Sequence, residues 1–448
     1  MTCQLQTDAL QDLELMDEGW IGFRTNAVTP ANLPTWLDLA RTMAAIEVVA
    51  FHSYQLMFLE RSPDPGDGSP VSYLYSLVLP LSAHGMAAVI VFFVLSGYLV
   101  GGPAIVRARW GQLNAIDYFA ARGARLYVVL MPALVTSICA YSLARHLPNW
   151  QEFVATRHDL YDAGRLFSAS AGATTAVCNV AFLQTIACSE FAGNLALWSL
   201  SNEFWYYVLI FALVVVWSRP SFTFLIIGIL ALFWYAERHD PAGAHIGAKF
   251  IFYFLIWCLG AAVYAIRAPA VSWLFLFCVG LVGAWLLYVG GAAPKWAASQ
   301  LATGLIVAGS IVGLTLSGAS MPRQLHPLAN GAKYSFSLYA THYPILVVLN
   351  VIFSSGPSEF TLFSLVRFVS FMLLCGALSV AFYRLFEIHT SSVKAFVAKA
   401  VRTIATETGT AFASRRVIEE YASTTNSTRK EDLLLPDARA VGARDNSR

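Results

Sequence analysis

Arg41 and His52 stand eleven residues apart inside the apolar stretch Leu37–Phe58, where a bilayer-spanning helix ordinarily carries neither side chain. At about 100° per residue, eleven steps come to about 20° past three turns, so both project from one helix face with an axial separation of roughly 16 Å. Ionisable groups at membrane depth are costly and mark functional sites. An imidazole has its unperturbed pKa nearer neutrality than other side chains. That makes His52 a candidate either to deprotonate a hydroxyl as a base or to carry a group covalently as a nucleophile. The competing reading is a packing histidine hydrogen-bonded between helices. Arg41 either pairs with Asp38, three residues earlier, or lines the path of an anionic ligand toward His52.

Glu203 and His342 lie in later apolar stretches. A carboxylate at that depth must be neutral, paired or exposed to an aqueous cavity. Glu203 would then orient His52, bind an acceptor hydroxyl, or pair structurally with another buried polar group. His342 would line a donor channel or make an interhelical hydrogen bond. Glu47 projects about 140° away from His52 on the same helix and is read as a separate polar contact. Arg122 and Arg125, three apart, share a face if the segment is helical, and paired guanidinium groups suit phosphates through forked, charge-assisted hydrogen bonds. The alternative for them, and the leading reading for Arg107 and Arg109, is charge that sets topology only. Ser96 and Gly97 read as small residues that let helices approach closely. His and Cys show none of the usual metal-ligand spacings, and no Gly-rich phosphate loop is present, so neither a metal nor a tightly bound cofactor is expected.

The elements that position these residues are membrane helices. Hydrophobic residues make up 57% of the 448, charged residues only 12%, and the net charge is +2; the mean hydropathy is +0.59. Such a chain is too apolar for a soluble globule, and no nucleic-acid partner is expected. Stretches of about twenty apolar residues recur near 37–59, 83–104, 126–145, 195–217, 221–236, 249–266, 271–290, 298–317, 334–354 and 361–383. The expected fold is therefore all-α and polytopic, with about ten transmembrane helices. Residues 1–35, with five acidic residues, one Arg and no apolar core, are expected to remain as a cytoplasmic segment rather than a signal peptide. Residues 36–390 form the membrane domain and 391–448 a cytoplasmic tail, amphipathic over Ser392–Ile404 and disordered from Ser423 for want of apolar residues. Arg107, Arg109, Arg122, Arg125, Arg219, Arg267, Arg323, Lys333 and Arg384 fall in alternate loops, which places those loops and both termini in the cytoplasm. The 146–193 loop then faces outward, and its Cys178 and Cys188 would pair if that side is oxidising. No internal repeat of the transporter kind is visible.

Five blocks, in order, resemble the integral-membrane acyltransferase 3 family, bacterial O-acyltransferases of polysaccharide, lipopolysaccharide and macrolides. They are Arg41 with His52; Phe92-Phe93-Val94-Leu95-Ser96-Gly97; Tyr118 with Arg122 and Arg125; Trp198-Ser199-Leu200-Ser201-Asn202-Glu203; and Tyr334 through His342-Tyr343-Pro344. Two departures stand out: Ile90 replaces an acidic residue common before the Phe pair, and Ile388 follows Glu387 where Pro is common, leaving the role of Glu387 open. The resemblance implies a multi-pass enzyme of the cell (inner) membrane. It would move an acyl group, most simply acetyl, from cytoplasmic acyl-coenzyme A to a hydroxyl of a cell-surface or exported carbohydrate, with glycan synthesis or export proteins as possible partners. His52, Arg41 and Glu203 would serve catalysis, and Arg122, Arg125 and His342 would bind the donor. The competing functions are acylation of a small secondary metabolite such as a macrolide and non-catalytic transport of polysaccharide units or acyl groups, for which intramembrane charge is equally natural.

Overall fold

The computed structural model describes residues 32–58, 70–156, 170–216, 221–238, 246–265, 295–353 and 358–406. Its longer helices are α1 (Leu33–Met57), α2 (Pro70–Ser82), α3 (Gly85–Arg109), α4 (Ala115–Ala144), α5 (Trp150–Thr156), α6 (Ala173–Val180), α7 (Trp198–Val215), α8 (Phe222–Arg238), α9 (Ile246–Ala265), α10 (Lys295–Ser317), α11 (Ser335–Phe353), α12 (Leu362–Leu385) and α13 (390–406). Seven of the described helical stretches are long and apolar enough to cross a membrane. Each expected span falls on a described helix except 271–290, which lies outside the described residues. Helix α1 has the length but carries Asp38, Arg41 and Glu47, so its apolar character is diluted by the residues that single it out. The tail expected to be disordered from Ser423 also lies outside the described residues.

The chain divides into two units, one of residues 1–113 and 126–388, the other of 114–125 and 389–448. In the first, α1 packs against α3, α11 and α12, and α9 lies along α3. Glycines set the α3–α9 crossing. A methyl built on Gly97 would overlap the carbonyl of Trp257, and one built on Gly260 would overlap the carbonyl of Val94. The two backbones therefore touch with no side chain between them, the close approach expected of Gly97. The Gly97–Gly101 turn of α3 is π-helical, an extra residue accommodated where that crossing occurs. Thr361 and Ser364 start α12 with reciprocal side-chain to backbone bonds.

Glu387, just beyond α12, reaches the start of α11. Its carboxylate accepts the Ser337 amide at 3.2 Å and the Ser337 hydroxyl at 2.6 Å. A helix N-terminus carries unsatisfied N–H groups and a partial positive charge, so an acidic side chain there both satisfies and anchors it. The following Ile388 does not disturb that role.

In the second unit the first turns of α4 meet α13. Asn114 caps α4 by accepting the Asp117 amide, and Asp117 pairs with Arg402 at 2.6 Å. Helix α13 covers the expected amphipathic stretch, with Phe396, Val401 and Ile404 exposed. A groove of about 640 Å³ between the two elements is lined by Asp117, Lys394, Lys399 and Arg402. Arg122 and Arg125 lie on continuous helix, so they do share a face.

Candidate active site

Helices α1 and α11 bring His52 and His342 together. The imidazoles stack with centroids 5.3 Å apart and planes inclined by 28°; Tyr343 stands edge-on to His52 at 5.1 Å. His342 is completely buried. Its Nδ1 lies 2.7 Å from the Tyr339 carbonyl and 3.1 Å from that of Leu338. A carbonyl only accepts, so Nδ1 carries hydrogen, and in the neutral ring the lone pair sits on Nε2. Nε2 has no hydrogen-bond partner among the described residues, nor has Nδ1 of His52, whose ring is hydrogen-bonded to the Gln55 side chain. An unsatisfied buried polar atom costs about 1–3 kcal/mol, and here two of them lie on stacked rings.

A polar ladder continues from His342. One helical turn back, Tyr339 shares a 2.7 Å hydrogen bond with Ser199 of α7. Further along α7 the Glu203 carboxylate accepts Ser96 Oγ at 2.7 Å and the Tyr207 hydroxyl. Trp257 donates its indole N–H to Ser96 Oγ at 3.1 Å. Glu203 therefore does not orient His52 through a hydrogen bond among the described residues; its partners are hydroxyls, and it acts electrostatically on Tyr339. Ser199, Glu203 and Tyr207 are spaced by four, one polar stripe along an otherwise apolar helix, as are Ser335 and Tyr339 leading to His342. That spacing was the available signal for Ser199, Tyr207 and Tyr339. Ser96 belongs to this ladder as well as to a close helix crossing. Nothing in the sequence marks Trp257 as a donor to it.

The remaining expected site residues are placed elsewhere. Arg41 pairs with Asp38 at 3.4 Å, one of its two alternatives. Glu47 accepts the backbone amide of His84 at 2.9 Å, a separate contact as its helix angle implied. Arg122 and Arg125 belong to the other unit. Among the described residues no cluster of His, Cys, Asp or Glu could hold a metal ion.

The segment before α7 enters the bundle. Cys178 and Cys188 form a disulfide, and Asn179 Oδ1 accepts the Phe191 amide while its Nδ2 reaches the Thr175 and Ser189 carbonyls. Phe182 is buried against Phe204 and Tyr127, with its carbonyl accepting from Ser201 and Trp205. Phe182, Thr185 and Ala192 all adopt positive φ, which side-chain-bearing residues keep only where surroundings dictate it.

The acyltransferase domain family matches residues 35–384. An O-acetyl transferase of Shigella phage Sf6 is 34% identical over 106 residues, a stretch covering 24% of this chain and 25% of that protein. The chain thus aligns with about a quarter of that relative's length. No solved structure matches. With a match that runs from the start of α1 to the last turn of α12 and takes in both imidazoles, the chain belongs to the acyltransferase domain family.

Proposed function

We propose that this protein is a membrane-bound O-acyltransferase that moves an acyl group, most simply acetyl, from acyl-coenzyme A on the cytoplasmic side to a hydroxyl of a cell-surface or exported carbohydrate. The observation that carries the reading is the stacked His52–His342 pair with one unpartnered ring nitrogen on each imidazole. Acyl transfer needs an acceptor for the hydroxyl proton at the moment the oxygen attacks the thioester carbonyl. The C–O bond forms, the C–S bond breaks, and the sulfur leaves with the proton returned to it. Two cations 5.3 Å apart at an effective dielectric of about 20 would repel by about 3 kcal/mol, so the neutral pair takes up one additional proton at a time and works as a single base. Nε2 of His342 already has its lone pair presented. His52 serves beside it, either as the base or as the nitrogen that takes the acyl group.

Support for the remaining roles comes from charge and placement. Glu203, held by Ser96 and Tyr207, offers a fixed negative end to the ladder. Arg122 and Arg125 share a helix face and suit the phosphates of the donor. Arg41, on the His52 face of α1, lies on the donor's path. The Sf6 relative, described as an O-acetyl transferase, favours acetyl and a hydroxyl acceptor.

The test is product formation in membranes supplied with acyl-coenzyme A and a glycan acceptor. His52→Ala and His342→Ala, each inserted at wild-type level, are each expected to abolish transfer. Near-normal product from both variants would return the imidazoles to packing and remove the basis of the reading.

A further inference from the structure

Pro344 sits inside α11, two residues beyond His342. In an α-helix the N–H of residue 344 would bond the carbonyl of residue 340, and proline has none to give. The Ala340 carbonyl, fully buried, is therefore left without its helical donor. Asn194 supplies it: Nδ2 donates to the Ala340 oxygen at 2.9 Å and to Ser137 Oγ at 3.0 Å, while Oδ1 accepts the Ala196 amide at 3.3 Å. Ser137 spends its own hydrogen on the Ala133 carbonyl at 2.7 Å, so it accepts from Asn194. The amide cannot be turned over, because Oδ1 would then face two acceptors. Every polar atom of this fully buried side chain is thereby assigned.

We infer that Asn194 is a positioning residue for His342, holding the turn of α11 that Pro344 leaves without a hydrogen bond so that the His342 ring stays stacked on that of His52. The residue reaches that depth because the segment before it is fixed at several points: Ser170 accepts the Gly193 amide on its hydroxyl and the Ala192 amide on its carbonyl, Gln184 donates to the Leu197 carbonyl, and the Cys178–Cys188 disulfide closes the preceding turn. The described segment 170–194 thus reaches the helix that carries His342. The inference deepens the acyl-transfer reading and rests on it, since His342 matters to turnover only if the pair handles the proton.

The experiment is a double-mutant cycle in the full-length protein in membranes, read by turnover and by thermal unfolding. Asn194→Ala strands the Ala340 carbonyl and lets the helix shift. It is expected to lower kcat by about 10- to 100-fold, the scale of a small misplacement at a reacting centre, with the donor KM changed by less than about two-fold. Pro344→Ala restores the N–H that the carbonyl lacks. In that background the loss caused by Asn194→Ala should shrink by at least about five-fold, and the loss in unfolding temperature should shrink with it. Ser137→Ala, which removes the other contact of the same amide, should show no such rescue. Losses that simply multiply in the cycle, or Asn194→Ala turnover within about two-fold of wild type, overturn the inference. Coupling in unfolding temperature without coupling in kcat would leave Asn194 a structural bracket and likewise overturn it. An inactive wild type refutes the acyl-transfer reading itself, whereas an active wild type with uncoupled losses refutes only the positioning.

Discussion

Replacing Glu387 should separate the anchoring of α11 from its chemistry. The carboxylate accepts two hydrogen bonds from Ser337, at 3.2 Å from the amide and 2.6 Å from the hydroxyl, and Ser337 is only 3% exposed. Water therefore does not replace the lost acceptor. Hydrogen bonds to a charged group contribute about 1.5–3 kcal/mol, and an acid at a helix N-terminus adds about 0.3–1 kcal/mol. The two bonds share one oxygen and are not independent, so Glu387→Ala should destabilise by about 2–4 kcal/mol. Glu387→Gln keeps a neutral acceptor of the same shape and should lose only about 1 kcal/mol. Reversible unfolding in mixed detergent gives both values. Equal losses for the two variants, or a loss below about 0.5 kcal/mol for the alanine, would refute the anchoring argument. Because α11 carries His342, turnover should follow stability in this series with the donor KM unchanged.

Gly97→Ala places a methyl on the Trp257 carbonyl and, unlike most glycine-to-alanine changes in a helix, should destabilise, by about 1–3 kcal/mol in the same unfolding assay. Burial pushes the Glu190 carboxyl up to about 7, above its ordinary value. The fold thus favours the protonated form, and the stabilisation it gives the 173–194 segment is complete below the ordinary carboxylate pKa and lost as pH rises through about 7. Hydrogen-exchange protection in that segment, corrected for the intrinsic pH dependence of exchange, should fall over that range, and Glu190→Gln should flatten the dependence. Arg122→Gln with Arg125→Gln should weaken donor binding by roughly ten-fold or more per arginine, each lost charge-assisted bond costing about 1.5–3 kcal/mol, with acceptor binding little changed; unchanged donor affinity would leave both as topological charge. In a background without native cysteines, Cys at Asn149 should react with an impermeant thiol reagent in intact cells and Cys at Gln112 only after permeabilisation. The reverse pattern would defeat donor entry from the cytoplasm.

The membrane helices were legible because length and apolar composition are local properties, and the helix angle between Arg41 and His52 follows from backbone geometry alone. The partnership of His52 with His342 was not legible. Nearly three hundred residues separate them, and only the packing of α1 on α11 brings the rings to 5.3 Å. Glu203 shows the limit in another way: its depth marked it as functional or paired, but the choice of Ser96 and Tyr207 over an imidazole depends on how α7 is rotated against α3. Arg41 and Asp38, three apart on one helix, could be paired from sequence because no tertiary contact was needed. Nothing in the sequence marks Asn194. It falls between the 146–193 loop and the next apolar stretch, and its value comes from a carbonyl 146 positions away that a proline has stripped of its donor.

The distribution of satisfied and unsatisfied polar atoms argues for where the chemistry sits. In an apolar interior each polar side chain must find a partner or cost the fold about 1–3 kcal/mol. Many polar side chains on the helices that carry or adjoin the imidazoles are satisfied: Ser137 bonds Ala133, Asn194 bonds three groups, Ser199 meets Tyr339, Ser201 meets the Phe182 carbonyl, and Ser96, Glu203, Tyr207 and Trp257 bond one another. Tyr54, Gln184, Gln300 and Asn350 also each leave one oxygen without a partner, and Arg367 its Nε. At the imidazoles two such atoms occur on stacked rings, and on His342 the orphan is the basic nitrogen because the other is committed to carbonyls. An apolar ring in its place would avoid the cost of the orphan nitrogen, whereas turning the imidazole over would only break the bonds of Nδ1. The surrounding bonds instead hold it as it is, so a group that brings a hydroxyl to Nε2 gains the hydrogen bond that the folded protein by itself leaves unmade.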